Sequence, residues 1–213
     1  VVEVSASASS SLNDNFNGGL QSDLWSWTGG VSVSEGTVRI NQGNTLTTKQ
    51  TFQRPLRVEF RARQAPSDAQ RGPECLTFQA FTTNTGSRHS GYNFGPAHWK
   101  NFHQLSTGYA GSSEPLGWPQ TQTSSSHPDS MTMGWHTYAL EILKDGTLSY
   151  FMDGGLIKTT KDARLKTGTV GVASSCRTME IDSIKVDAPK AEDLLNLARG
   201  KGTRQSSYGW GST

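Results

Sequence analysis

The sequence predicts an all-β fold, a two-sheet antiparallel sandwich, on three observations. From Gly134 to Gly154 two alternating strands flank a tight turn. Tyr138, Leu140 and Ile142 share one face, Leu148, Tyr150 and Met152 share one in the return strand, and Lys144-Asp145-Gly146-Thr147 joins them. Gly146 is the residue free to take the positive φ that such a hairpin needs. Turn signals then recur about every 8–12 residues, the spacing of a sandwich or jelly roll. Finally, the 23 glycines are scattered over many short intervals, as a turn-rich β-protein requires.

The elements follow in order. Residues 1–11 form a Ser- and Ala-rich arm, read either as an edge strand (VVEV) with a linker or as linker throughout. Asp14 to Trp27, DNFNGGLQSDLWSW, opens the domain. Strands are expected at Val31–Val33, Thr37–Ile40, Thr45–Thr47, Leu56–Arg63, Leu76–Phe81, Gly91–Phe94, the central hairpin, Leu156–Thr159, Thr169–Ala173 and Met179–Val186. In the last of these, Met179 and Ile181 have one parity and Ile184 and Val186 the other, which predicts a bulge near Asp182-Ser183. Asn93 to Asp129 is mostly polar, Gly-, Ser- and Pro-rich text, and is expected to be a long functional or disordered loop.

Charge and hydropathy narrow the function. At 213 residues the chain holds one sandwich, or one domain and part of another. A formal net charge of +2 gives no reason to expect a nucleic-acid partner. No apolar run approaches roughly 18 residues, so membrane insertion is not expected. The N-terminus carries no basic-then-apolar leader and reads as mature or trimmed. Phosphate-loop, dinucleotide, zinc-protease and nucleophile-elbow motifs are absent, as are Asn-x-Ser/Thr sequons.

The segment GWHTYALEILKDGTLSYFMDG closely resembles a hairpin of concanavalin A-like sandwiches, among them family-16 glycoside hydrolases and laminin-G-like modules. DNFNGGLQSDLWSW is similar to the opening of family-16-like domains, and MEIDSIKV to their last strand. The resemblance implies a concanavalin A-like jelly roll over residues 12–188 and a role in sugar recognition. After Pro189, KAEDLLNLA reads as a short helical linker, and NLARGKGTRQSSYGWGST resembles the first strand of discoidin-type (coagulation factor 5/8 C-type) domains, as in F-type lectins. Residues 189–213 are therefore expected to be a linker and the start of such a module, with further domains of the same polypeptide as partners.

Family-16 hydrolases cleave with paired carboxylates in a Glu-x-Asp-x-x-Glu strand, about 5 Å apart. The corresponding region here, SGYNFGPAHWKNFHQLSTGY, has no Asp or Glu, and the nearest carboxylates, Glu114 and Asp129, lack the spacing. The first expectation is thus a non-catalytic carbohydrate-binding module. Its glycan site would use the rings of Trp99, Phe102, Tyr109 and Trp118, with His98, Lys100, Asn101, His103 and Gln104 as hydrogen-bonding groups. Arg61 and Arg63, on the polar face of their strand with Arg57 and Glu59, would supply a basic row for an anionic sugar or a solvated face.

A second expectation is a polysaccharide lyase. It would abstract a proton beside a uronate through His98 or His103 and Tyr92 or Tyr109, with Arg61 neutralising the carboxylate. A third is a structural or adhesion module of an extracellular assembly. The family resemblance also implies a structural calcium between the N-terminal segment and the last strand, with Asp182 matching the last-strand ligand and Asp14 or the carbonyls around Asn15 and Asn17 the first. Low Lys and Glu content, many Ser, Thr and Asn residues and the lectin-like hairpin point to a secreted or cell-surface protein. Cys75 and Cys176 are accordingly read as a disulfide rather than as two buried thiols.

Overall fold

The computed structural model describes residues 11–67, 76–82, 90–97, 102–109, 112–115, 134–174 and 177–189. Cys75, Cys176, the N-terminal arm before Ser11 and residues 190–213 lie outside the described residues. In chain order the strands are β1 (Leu12–Asp14), β2 (Trp25–Trp27), β3 (Val31–Ser34), β4 (Thr37–Ile40), β5 (Thr45–Thr48), β6 (Phe52–Gln53), β7 (Leu56–Gln64) and β8 (Leu76–Thr82). They continue with β9 (Gly91–Ala97), β10 (Phe102–Tyr109), β11 (Ser112–Pro115), β12 (His136–Ile142), β13 (Thr147–Met152), β14 (Gly155–Lys161), β15 (Thr167–Ser174) and β16 (Met179–Asp187).

Two antiparallel sheets face each other. The first has the order β14-β13-β12-β7-β16-β4-β3, with β1 beside β16; the second runs β11-β10-β9-β8-β15-β5-β2, with β6 beside β15. Strand parity decides what each buries. On β7, Val58, Phe60 and Ala62 point inward, and β12 sets Leu140 opposite Val58 and Tyr138 opposite Phe60. The second sheet answers with Phe78, Ala80, Tyr92, Phe94, Leu105, Val170 and Val172.

Where the sheets meet, Phe78 stacks on Phe60 and on Tyr138, with ring centroids 4.8 Å apart in both pairs. Phe94 meets Tyr150 edge-on at 5.6 Å. Each such ring, fully buried, contributes roughly 1.5–3 kcal/mol over its exposed state, before the aromatic geometry is counted.

The central hairpin forms as its pattern demands. Gly146 takes φ 85°, its N–H donates to the Leu143 carbonyl at 3.0 Å, and Asp145 accepts from the Thr147 N–H at 3.0 Å. The expected irregularity in the last strand is present too: the β7–β16 register shifts between Ile181 and Ser183. The long passage after Asn93 departs from expectation, because part of it is strand. In β10, His103, Leu105 and Thr107 lie opposite Pro96, Phe94 and Tyr92 of β9. Polar text with one aliphatic residue hid a strand whose inward face is itself half polar.

At the domain opening, Asp14 is buried and fully engaged. One oxygen accepts the Phe16 N–H at 2.7 Å and the other the Trp25 indole N–H at 2.7 Å. This pins Phe16 at φ 57° with its ring 5.6 Å from Trp25.

Candidate functional site

The side chains that the second sheet turns away from the core form a polar row across five strands. Register carries it from Ser106 on β10 to Asn93 on β9, Gln79 on β8, Gly171 on β15 and Thr47 on β5. Gln79 donates to the Asn93 side-chain oxygen at 3.0 Å and to the Ser90 carbonyl at 3.2 Å, while Asn93 donates to the Gly91 carbonyl at 3.3 Å. These amides and hydroxyls are buried, so they make a floor and not the accessible surface of a site. None of the five strands contains an Asp or a Glu.

The residues expected to act together are distributed over different places. Tyr92 and His103 belong to the core. Tyr92 shares the inward parity of Phe94; its hydroxyl donates to the Asp162 carbonyl at 3.0 Å and accepts from the Leu165 N–H at 3.2 Å. Burial pushes its pKa up to about 12. His103 points the same way as Leu105, with its Nδ1 2.8 Å from the Tyr150 hydroxyl. Both were expected at a glycan site; alternation along β9 and β10 turns them between the sheets instead. Tyr109 ends β10 opposite Ser112. His98, Trp99, Lys100 and Trp118 lie outside the described residues.

Arg61 and Arg63 sit on the outer face of the first sheet, on the far side of the sandwich from the polar row. Arg57, four residues before Arg61, is withdrawn from solvent. It pairs with Glu59 at 2.6 Å and with buried Glu141 at 3.0 Å, and its guanidinium lies 5.0 Å from the Phe151 ring centre. Burial opposes that charge, but the two glutamates outweigh it and raise the arginine's pKa. The other two arginines join a ladder. Arg61 Nε meets Asp182 at 3.1 Å, Arg63 Nε meets Glu180 at 2.8 Å, and Arg39 reaches the other oxygen of Glu180 at 3.0 Å. Trp135, which the sequence reading passed over, lies 4.5 Å from the Arg63 guanidinium and 5.9 Å from that of Arg61. The available signal was complementary alternation, Arg61/Arg63 on one strand and Glu180/Asp182 on its neighbour.

The calcium expectation divides between its two aspartates. Among the described residues no three His, Cys, Asp or Glu side chains gather to hold a metal. Asp14 is already engaged by the protein, each of its oxygens accepting one N–H. The neighbourhood of Asp182 suits a metal better. Asp14 lies opposite Ile184 and Ile181 opposite Val38, so Asn15, the Glu35-Gly36 turn and the Asp182-Ser183 bulge adjoin. A Cβ at Gly36 would lie 2.5 Å from the Asn17 side-chain oxygen and 3.5 Å from the Asn15 carbonyl oxygen, an oxygen-lined cradle that glycine keeps open.

No protein-family model matches the sequence, and no curated protein does. Solved structures do match in shape. A prokaryotic β-1,3-1,4-glucanase (lichenase) derived from a mouse hindgut metagenome superposes with a TM-score of 0.55 at 11% identity, over 84% of this chain and 100% of its own. The exoplasmic/lumenal domain of VIP36, solved with Ca2+ and Man3GlcNAc, gives 0.61 at 12% identity, over 92% of this chain and 94% of its own. An endo-β-1,3-glucanase from Pyrococcus furiosus gives 0.54 at 12%, over 82% and 92%. Identities this low carry the fold alone: an antiparallel jelly-roll sandwich of the concanavalin A-like type.

Proposed function

We propose that this sandwich is a carbohydrate-binding module without glycosidase activity, belonging to a larger secreted or cell-surface protein. One observation carries the reading: the five strands that carry the polar row contain no carboxylate. Retaining and inverting glycosidases of the usual kind both need two carboxyl groups flanking the scissile bond. The carbohydrate class is supported by the neighbours, which include glucanases and a mannose-glycan-bound domain. The lyase alternative loses two of its named acid–base groups, since Tyr92 and His103 are core residues held by Asp162 and Tyr150.

Three finer parts belong to the same proposal. Asp182, with the Asn15 carbonyl and the Asn17 amide oxygen, holds a structural calcium, and Asp14 does not. Cys75 and Cys176 form a disulfide. Residues 189–213 are a linker and the start of a discoidin-like module.

The test is a glycan array followed by calorimetry, with reducing-end release and unsaturated-uronate absorbance measured on every ligand found. Saturable binding with neither product is expected. Turnover of a bound glycan, or a well-folded protein that binds nothing on the array, overturns the proposal.

A further inference from the structure

The outer face of the first sheet carries chemistry that the polar row does not use. Arg61 and Arg63 are alternate residues of β7, so their side chains leave the same face roughly 7 Å apart. Each is anchored through Nε, Arg61 to Asp182 at 3.1 Å and Arg63 to Glu180 at 2.8 Å. Among the described residues, the terminal Nη groups of both make no hydrogen bond. The side chains are 53% and 29% exposed, and Trp135 backs both guanidiniums. A guanidinium held at Nε has given up much of its rotamer freedom while keeping its forked N–H edge. That edge matches a carboxylate or sulfate bidentately.

We propose that Arg61, Arg63 and Trp135 form a subsite for one anionic substituent, a carboxylate or a sulfate, carried by a glycan. The choice of a glycan as carrier rests on the carbohydrate-binding reading; the anion chemistry does not. Among the described residues, Arg39, Arg61 and Arg63 form ion pairs with Glu180 and Asp182, which leaves the ladder with one net positive charge. A nucleic-acid backbone presents a phosphate at every step and is held by several uncompensated cations along a strip. One net charge beside an indole suits a single anionic group instead.

Calorimetry of the whole chain tests this with four probes: an oligogalacturonate, a dextran sulfate oligomer, neutral dextran of equal length and duplex DNA. Binding of the oligogalacturonate or the sulfated oligomer, weakened by salt, is expected, and the stronger of the two identifies the anion. Replacing Arg61→Gln and Arg63→Gln together should lower that affinity by at least about tenfold. The Arg61→Lys, Arg63→Lys pair keeps the charge and the ladder but loses the forked edge, so it should lose most of the affinity too. If the Gln pair fails to fold, judged by its melting curve, the Lys pair carries the test. Equal affinity in the Lys pair, DNA binding as tight as that of either glycan, or no binding of either anionic probe overturns the proposal. Neutral-glycan binding that survives both double variants reports the polar-row reading separately.

Discussion

Asp162 accepts hydrogen bonds from the Arg164 backbone at 2.8 Å, the Arg164 guanidinium at 2.6 and 2.9 Å, and the Thr107 hydroxyl at 3.1 Å. Burial pushes its carboxyl up, but the Arg164 and Thr107 bonds and the arginine's charge outweigh that, and the net shift is downward. The sign follows. A carboxyl held lower in the folded state than its unfolded value of about 3.9 stabilises fully above that value. The contribution is lost as pH falls through the folded pKa. Melting temperature is therefore expected to drop below about pH 4, and Asp162→Asn should flatten that acid limb while lowering stability at neutral pH. An acid limb identical in the variant removes Asp162 as its source. Tyr92 shows the same residue-scale lesson for function. Its type suited proton abstraction, yet its position beside Phe94 made it a core group tied to Asp162. Residue type and the Gly91–Phe94 strand were visible in the sequence, whereas which face of that strand the sandwich buries was not.

Elements with strict alternation were legible. The Tyr138–Ile142 and Leu148–Met152 pattern gave the β12–β13 hairpin, and the parity change after Ile181 located the β16 bulge to within a residue. β10 was not legible, because His103 and Thr107 fill inward positions where an aliphatic pattern would have announced a strand. β1 escaped for another reason: three residues are too few for a period, and its place is fixed by Asp14 bonding Phe16 and Trp25. The β16 bulge also carries a prediction. If Asp182, Asn15 and Asn17 hold calcium, a chelator should lower the melting temperature, and added calcium should restore it. Asp182→Asn should remove that sensitivity, whereas Asp14→Asn should destabilise the fold and leave it. A melting curve unmoved by excess chelator takes calcium out of the account. Magnesium that restores the curve equally well would rule out a calcium-selective site.

Across the whole molecule, topology joins segments that the sequence keeps apart. Leu76 opens β8 and Ser174 closes β15, about 100 residues later, and the register sets them opposite each other. Cys75 directly precedes the first and Cys176 follows the second by two residues. β8 pairs with β15 directly, so the strands next to the two cysteines in sequence are neighbours. Closing a loop of about 100 residues restricts the unfolded chain most, so the bridge should add on the order of 4 kcal/mol if unstrained. Protein isolated without reductant and unfolded in denaturant should titrate no free thiol, and mild reduction should lower its melting temperature by several degrees. The Cys75→Ser, Cys176→Ser pair should melt like the reduced protein and show no further response to reductant. Two titratable thiols per chain would show the bridge absent. Because the bridge and the oxidising compartment were inferred together, that result would also withdraw support for the secreted assignment.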